Sequence, residues 1–298
     1  MKRPRIVLST TIFATTTRFA TATTQQVLAC LLVGCFVVPL AGCGQIETES
    51  RIVLTGSSTV APLAAEIGKR FEASHPLVRV EVQTGGSSRG IRDAQCGVAD
   101  IGMSSRKLKP GELDGVNTTT IAWDGVAFVI HRDNPVEQLS REELIGIYTG
   151  QIGNWQQVGG ADAPIVVSSR AEGRSELDLM LSHLGIEASQ IKAGVIDGET
   201  QQSIKTVTTN RNAIVYTSVG AAQHAAKAGA PLKLLPLDDV PASTQTVQTG
   251  DFPLARPLVL INQANQQNLL VDEFIRFALK GDMDDLTESF GYVPPARD

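Results

Sequence analysis

Three times in this chain an apolar run of strand character passes through a loop of hydroxyl residues and glycine into a run of helical spacing. The loops are Thr55-Gly56-Ser57-Ser58-Thr59, Gly85-Gly86-Ser87-Ser88-Arg89-Gly90 and Ser168-Ser169-Arg170-Ala171-Glu172-Gly173-Arg174-Ser175. Strand and helix in alternation imply an α/β fold, a mostly parallel sheet flanked by helices. Each loop falls at a helix start, where N–H groups lack intrahelical partners and the helix dipole is positive. Glycine lets the backbone come close, and Ser and Thr add hydroxyl donors. If the three loops converge, they form a site for a small oxyanion.

The spacing along the chain fills in this frame. Ile52-Val53-Leu54 reads as a strand, and Val60, Leu63, Ala64, Ile67 and Phe71 lie on one face of a helix that His75-Pro76 ends. Val78, Val80 and Val82 alternate with Arg79 and Glu81 as a strand, followed by a short helix from about Gly90. Ala99 to Met103, Gly125 to Ile130, Pro164 to Val167 and Ala213 to Tyr216 read as further strands. Ser140-Arg141-Glu142-Glu143 has capping-box spacing, with Gly150 placed to stop the helix. Leu177, Met180, Leu181 and Leu184 share a helix face, and Asp272 to Leu279 reads as the final helix. Pro236 to Pro257, rich in Pro, Thr and Gln, reads as a connecting passage.

The first 42 residues read as a leader. Lys2, Arg3, Arg5 and Arg18 precede an apolar run from Val27 to Leu40, shorter than a comfortable membrane span but suited to a signal-peptide core. The run ends in Leu40-Ala41-Gly42-Cys43, which resembles the lipobox of bacterial lipoproteins, with Cys43 as the lipidated first mature residue and residues 43–50 as a tether. The whole chain has 26 basic and 31 acidic residues; without the leader's four basic residues 22 remain against 31, a net charge of −9. That charge argues against nonspecific nucleic-acid binding and requires any anion site to be a local positive feature. Cys96 is the one cysteine left free, so no internal disulfide is expected, and it reads as a small buried hydrophobe.

Other chemistries fit less well. Gly86, Ser88 and Gly90 satisfy Gly-x-Ser-x-Gly between a strand and a helix, so a serine hydrolase using Ser88 has to be weighed, with His131, His183 and His224 as bases. The motif comes after only the second strand of the mature chain, and two loops of like composition would then have no role. The histidines show no paired ligand spacing, and the acidic runs lack the glycine of a calcium loop, so neither metal nor cofactor is implied. Arg106 and Arg170 each follow two serines, and arginine holds tetrahedral oxyanions through paired N–H bonds.

These loops, with Asp100-Ile101-Gly102-Met103-Ser104-Ser105-Arg106, Trp123-Asp124-Gly125-Val126-Ala127, Ile147 to Trp155, Ala213 to Gly220 and Gly291-Tyr292-Val293-Pro294-Pro295, resemble the phosphate-binding proteins of bacterial ABC importers, the PstS type. The resemblance implies a two-lobed periplasmic-binding-protein fold of type II character with the ligand in the cleft. Residues 51–129 and 253–298 would form the first lobe and 130–252 the second. It implies an exported, lipid-anchored monomer, periplasmic or cell-surface, that binds inorganic phosphate, serves an inner-membrane ABC permease and is not an enzyme. Sulfate or molybdate as ligand, or a sensing role, are the alternatives within the same fold. The ligand residues implied are Ser58, Thr59, Val60, Ser87, Ser88, Ser105, Arg106, Arg170, Gly173, Arg174, Ser175 and Glu176.

The chain departs from the family at two of these places. The family often has Gly-Ser-Gly-Thr where Gly173-Arg174-Ser175-Glu176 stands, and some members have Asp where Ser105 stands. An ionised carboxylate accepts the proton that phosphate carries and repels sulfate, which carries none. Glu176 is therefore expected to take over as acceptor, with Arg174 and Arg170 balancing its charge.

Overall fold

The computed structural model describes residues 49–296. The leader, 1–42, and the lipidation residue Cys43 lie outside the described residues, and of the tether only Glu49 and Ser50 are described. The elements run β1 (Ser50–Gly56), α1 (Ala61–Ser74), β2 (Val78–Thr84), α2 (Ser87–Gln95), β3 (Ile101–Ser104), β4 (Val116–His131), α3 (Arg141–Tyr148), β5 (Val166–Arg170), α4 (Ser175–Leu184), β6 (Val195–Asp197) and α5 (Thr200–Thr209). Then follow β7 (Ala213–Ser218), α6 (Val219–Lys227), β8 (Leu232–Leu234), α7 (Thr244–Thr249), β9 (Ala255–Gln263), α8 (Leu269–Ala278) and α9 (Asp284–Ser289). No helix among the described residues is long and apolar enough to cross a membrane.

Two lobes arise because two strands each serve two cores. The sheet order is β2-β1-β3-β9-β4-β7-β5-β6, with β8 beside β4. The arms β2-β1-β3 and β6-β5-β7 are parallel, as strand–helix alternation requires, while β4 and β9 run antiparallel to their neighbours and to each other. Along β4, Ile121 and Ala122 enter the first core, and Val126 to Ile130 enter the second. On the β9 side, Leu254 packs in the second core, and Leu258 and Leu260 pack in the first. Where the chain changes cores the partners across the ladder are Asp124 and Arg256, a polar pair at the hinge.

Local chemistry sets the element ends. Ser140 accepts from the Glu143 N–H while the Glu143 carboxylate accepts from the Ser140 N–H, closing the expected capping box. The α2 helix begins at Ser87, three residues before the expected start, because Gly86 at φ +92° supplies the turn. That phase buries Ser87, Gly90, Ile91 and Ala94 and leaves Cys96 exposed beyond the last turn, contrary to the expectation of a buried thiol. The passage after Pro236 contains the short helix α7, capped by the Ser243 hydroxyl, and α8 is followed by α9, so it is not the final helix.

Candidate functional site

The starts of α1, α2, α4 and α5 meet in one cleft between the lobes, and the three hydroxyl loops meet with them. The Ser57 hydroxyl donates to Ser105 Oγ (2.8 Å), Ser105 and Ser175 share a 2.6 Å bond, and Ser175 donates to Glu176 Oε2 (3.4 Å). Thr59 donates to Glu176 Oε1 at 2.9 Å, and the Ser87 hydroxyl accepts from the Ser105 N–H at 3.1 Å. A run of hydroxyl protons thus ends on one carboxylate. Loops two and three touch directly: the Ser88 N–H donates to the Gly173 carbonyl, and a Cβ at Gly86 would come within 2.7 Å of that oxygen. This approach, together with a positive φ, is what requires glycine at position 86.

Arg170 is built into the site as a donor with capacity to spare. Its N–H donates to the Tyr216 hydroxyl (2.9 Å), whose phenol burial pushes up to about 12, keeping it neutral. Its Nη1 is anchored on the Glu199 carbonyl (2.8 Å) and Ser203 Oγ (2.6 Å). Nε and Nη2 are buried and have no hydrogen-bond acceptor among the described residues; Glu176 Oε1 stands 3.7 Å from Nη2. Buried donors are normally satisfied, so two on one guanidinium mark a place for an acceptor.

Arg256 is the residue that the sequence reading missed. Held on β9, its Nη2 and Nε donate to Asp124 Oδ2 at 3.0 and 3.3 Å, and Nη2 also reaches Glu176 Oε1 and Thr59 Oγ1, both at 3.2 Å. Its Nη1 donates to Ser175 at 3.0 Å and Ser105 at 3.3 Å. One guanidinium therefore holds loops from both lobes. Asp124 completes the hinge by accepting the Gly220 N–H at the start of α6 (3.0 Å). Burial pushes the Glu176 carboxyl up, but Arg256 and then Arg170 outweigh it and hold it down at about 2. At the centre two buried guanidinium groups face two buried carboxylates. A lone Arg256 in the apolar run from Leu254 to Ile261 was the available signal, since a buried charge needs a counter-charge.

The other expected site residues divide between the centre and its margins. Thr59, Ser87, Ser105, Arg170, Ser175 and Glu176 come together at the centre. The Val60 N–H is at the start of α1 but is covered by Ser57 Oγ (3.4 Å), which also accepts from Thr59 N–H. Ser58 crosses the cleft to Thr200 at 3.3 Å. Ser88 and Gly173 sit at the mouth, beside a cavity of about 470 Å³ that Arg106, Glu112 and Asp178 also line. Arg106 does not turn to the centre: its fork takes Glu112 at 2.6 and 2.8 Å, with Asp178 of the other lobe at 3.4 Å. That bond raises the Arg106 pKa and, reciprocally, holds the Glu112 carboxyl at about 2. Nor does Arg174 balance Glu176; it reaches away to Glu199 at 3.1 Å, and Arg256 takes its place. Ser88 Oγ accepts from Arg106 at 3.4 Å and has no histidine partner among the described residues, so the geometry of a nucleophile elbow is not assembled.

The PBP superfamily domain matches residues 43–282. A phosphate-binding protein PstS of Borreliella burgdorferi is 26% identical over 262 residues, spanning 85% of this chain and 93% of that protein. Two solved structures cover 83% of the chain and all of their own length at 30% identity. One, from Clostridium perfringens with bound phosphate, carries the description of a phosphate ABC transporter substrate-binding protein and superposes with a TM-score of 0.76. The other is an ABC-type phosphate transport receptor from Vibrio cholerae, with a TM-score of 0.65. With a two-lobed fold, crossing strands at the hinge and a donor-rich cleft, the chain belongs to the PBP superfamily and is PstS-like within it.

Proposed function

We propose that this protein captures inorganic phosphate outside the cytoplasm and delivers it to an ABC permease, doing no covalent chemistry. It would act as a monomer, anchored to the membrane through lipid on Cys43. The observation that carries the reading is the pair of buried nitrogens on Arg170 that make no hydrogen bond among the described residues, set where the starts of four helices meet in one cleft. The names of the phosphate-binding relatives support it. Selection would rest on hydrogen bonding, and delivery on hinge closure that a permease can sense.

Thermal unfolding of the purified protein with phosphate, sulfate and molybdate tests the reading. Phosphate at about a hundred times its Kd adds roughly 2.7 kcal/mol, about 5–10 °C in midpoint for a domain of this size. Equal shifts with sulfate or molybdate would move the assignment to another oxyanion, and no shift with any anion would defeat it.

Glu176 gives the selection a direction. Held at about 2, it is ionised across the physiological range and can only accept, so a ligand that hydrogen-bonds to it has to bring a proton. Phosphate does and sulfate does not. Glu176→Gln, which adds a donor, should lower the phosphate-to-sulfate affinity ratio roughly ten-fold, the weight of one charge-assisted bond. Titration calorimetry with both anions reads that ratio, and an unchanged ratio would remove Glu176 from the selection.

A further inference from the structure

Three features of the C-terminal segment Gly291–Pro294 converge on the cleft from behind. First, the Tyr292 hydroxyl, on a side chain only 4% exposed, donates to the Thr59 carbonyl at 2.8 Å. Thr59 is the loop-one residue that donates to Glu176 and accepts from Arg256. Second, Val293 pairs with Trp123 by two backbone bonds, 2.7 and 2.9 Å, one residue before the hinge carboxylate Asp124. Third, Gly291, at φ +77°, lies so close on Gly220 that a methyl group at position 220 would run into the Gly291 carbonyl. Gly220 is the first-turn residue of α6 in the second lobe, and its N–H is the one held by Asp124.

A four-residue segment therefore touches a ligand loop of the first lobe, a crossing strand and a helix start of the second lobe. Two cavities adjoin it, and Val293 and Pro294 line both. A polar cavity of about 400 Å³ is walled by His224 and Lys227 of α6, Gln248 of α7, Ser289 of α9 and Tyr292. An apolar one of about 450 Å³ is walled by Trp123, Val247, Ala255, Val293 and Pro294. Tyr292 packs in the first core and Val293 in the second, so the segment bridges the two lobes as the crossing strands do.

We propose that Gly291–Pro294 is a third hinge element beside β4 and β9, and that Tyr292 is a positioning residue that sets the Thr59 loop for the anion. This rests on the reading of the cleft as a phosphate site. Closing the cleft brings Thr59 toward the second lobe; through its carbonyl Thr59 carries Tyr292, and Tyr292 carries the Val293–Trp123 pair. The coupling runs through contiguous hydrogen bonds, so it makes a prediction at each end.

The test is Tyr292→Phe, which keeps the ring and removes the hydroxyl. Stopped-flow phosphate binding should show a Kd about five-fold weaker, the weight of one buried hydrogen bond, carried in koff with kon little changed. The chain has two tryptophans, and Trp155 is sealed in the second core, so the emission change on adding phosphate reports Trp123. That change should shrink in the variant. A variant with a lower melting point but the parent's koff and emission change would overturn the proposal, since the hydroxyl would then serve stability alone. Amide exchange of the full protein without phosphate provides a ligand-independent arm: residues 57–63 should exchange faster in Tyr292→Phe, and unchanged exchange there overturns the proposal. A parent protein that fails to bind phosphate defeats the phosphate reading instead, and the exchange arm then decides the role of Tyr292.

Discussion

Arg170→Met is expected to weaken phosphate binding by at least about a hundred-fold, because it removes two buried donors that make no hydrogen bond among the described residues. Each charge-assisted bond to a desolvated anion contributes roughly 1.5–3 kcal/mol, and two together exceed the 2.7 kcal/mol that a hundred-fold change represents. The fold should tolerate the change better than the function does. Glu176 keeps its contact with Arg256, the nearer and stronger of its two counter-charges, and methionine fills the volume that the guanidinium stem leaves. Arg170→Lys should restore little, since an ammonium cannot keep Nη1 on Glu199 and Ser203 while presenting two more donors to the ligand. Titration calorimetry checks both variants. A loss of less than ten-fold in Arg170→Met would mean that the anion is held elsewhere, with Arg106 and Arg174 the next residues to test.

The part of this site that could be read from the chain is the part made of local signals. Hydroxyl and glycine loops at strand–helix junctions are written in consecutive residues, and helix periodicity places them at N-termini, so the loops that carry Thr59, Ser87 and Ser175 were legible, while Ser105 came from the family resemblance. Strands β1, β2, β3, β5 and β7 and the capping box at Ser140 were legible for the same reason, whereas β6, β8 and β9 were not read. What was not legible depends on contacts over long separations. Arg106 follows Ser104-Ser105 just as Arg170 follows Ser168-Ser169, yet Arg106 folds onto Glu112 and leaves the centre to Arg256. No local pattern distinguishes the two arginines, because the difference is which carboxylate lies within reach. Cys96 shows the same limit in the other direction. An earlier start to α2, made possible by one glycine with a positive φ, turned a residue of buried character to solvent. The crossing strands were read in part: β4 was recognised from its apolar second half, while its first half, Val116 to Thr120, alternates too weakly to be read without its partner β9.

Arg256→Met is expected to produce the largest loss of stability, about 3–5 kcal/mol, because it strips a buried counter-charge from two carboxylates at once. For a domain of this size that corresponds to roughly 10 °C in midpoint. The pH dependence separates charge from packing. In the parent, Glu176 has a folded-state pKa of about 2, below its ordinary 4.5. Its stabilising contribution is therefore complete above pH 4.5 and is lost as the pH falls toward 2. Without Arg256, burial opposes only Arg170, so the folded-state pKa of Glu176 moves up. If it passes 4.5 the sign reverses: the ionised carboxylate becomes a cost that is fully present at neutral pH and relieved as the pH falls below the raised value. Urea unfolding at pH 8, 6 and 4 should then show the gap between parent and variant narrowing toward acid. Adding Glu176→Gln to Arg256→Met should recover part of the loss at pH 8 and little at pH 4. A gap independent of pH would show that Arg256 holds the two lobes' loops by shape and hydrogen bonding to Ser105 and Ser175, with its charge of little account.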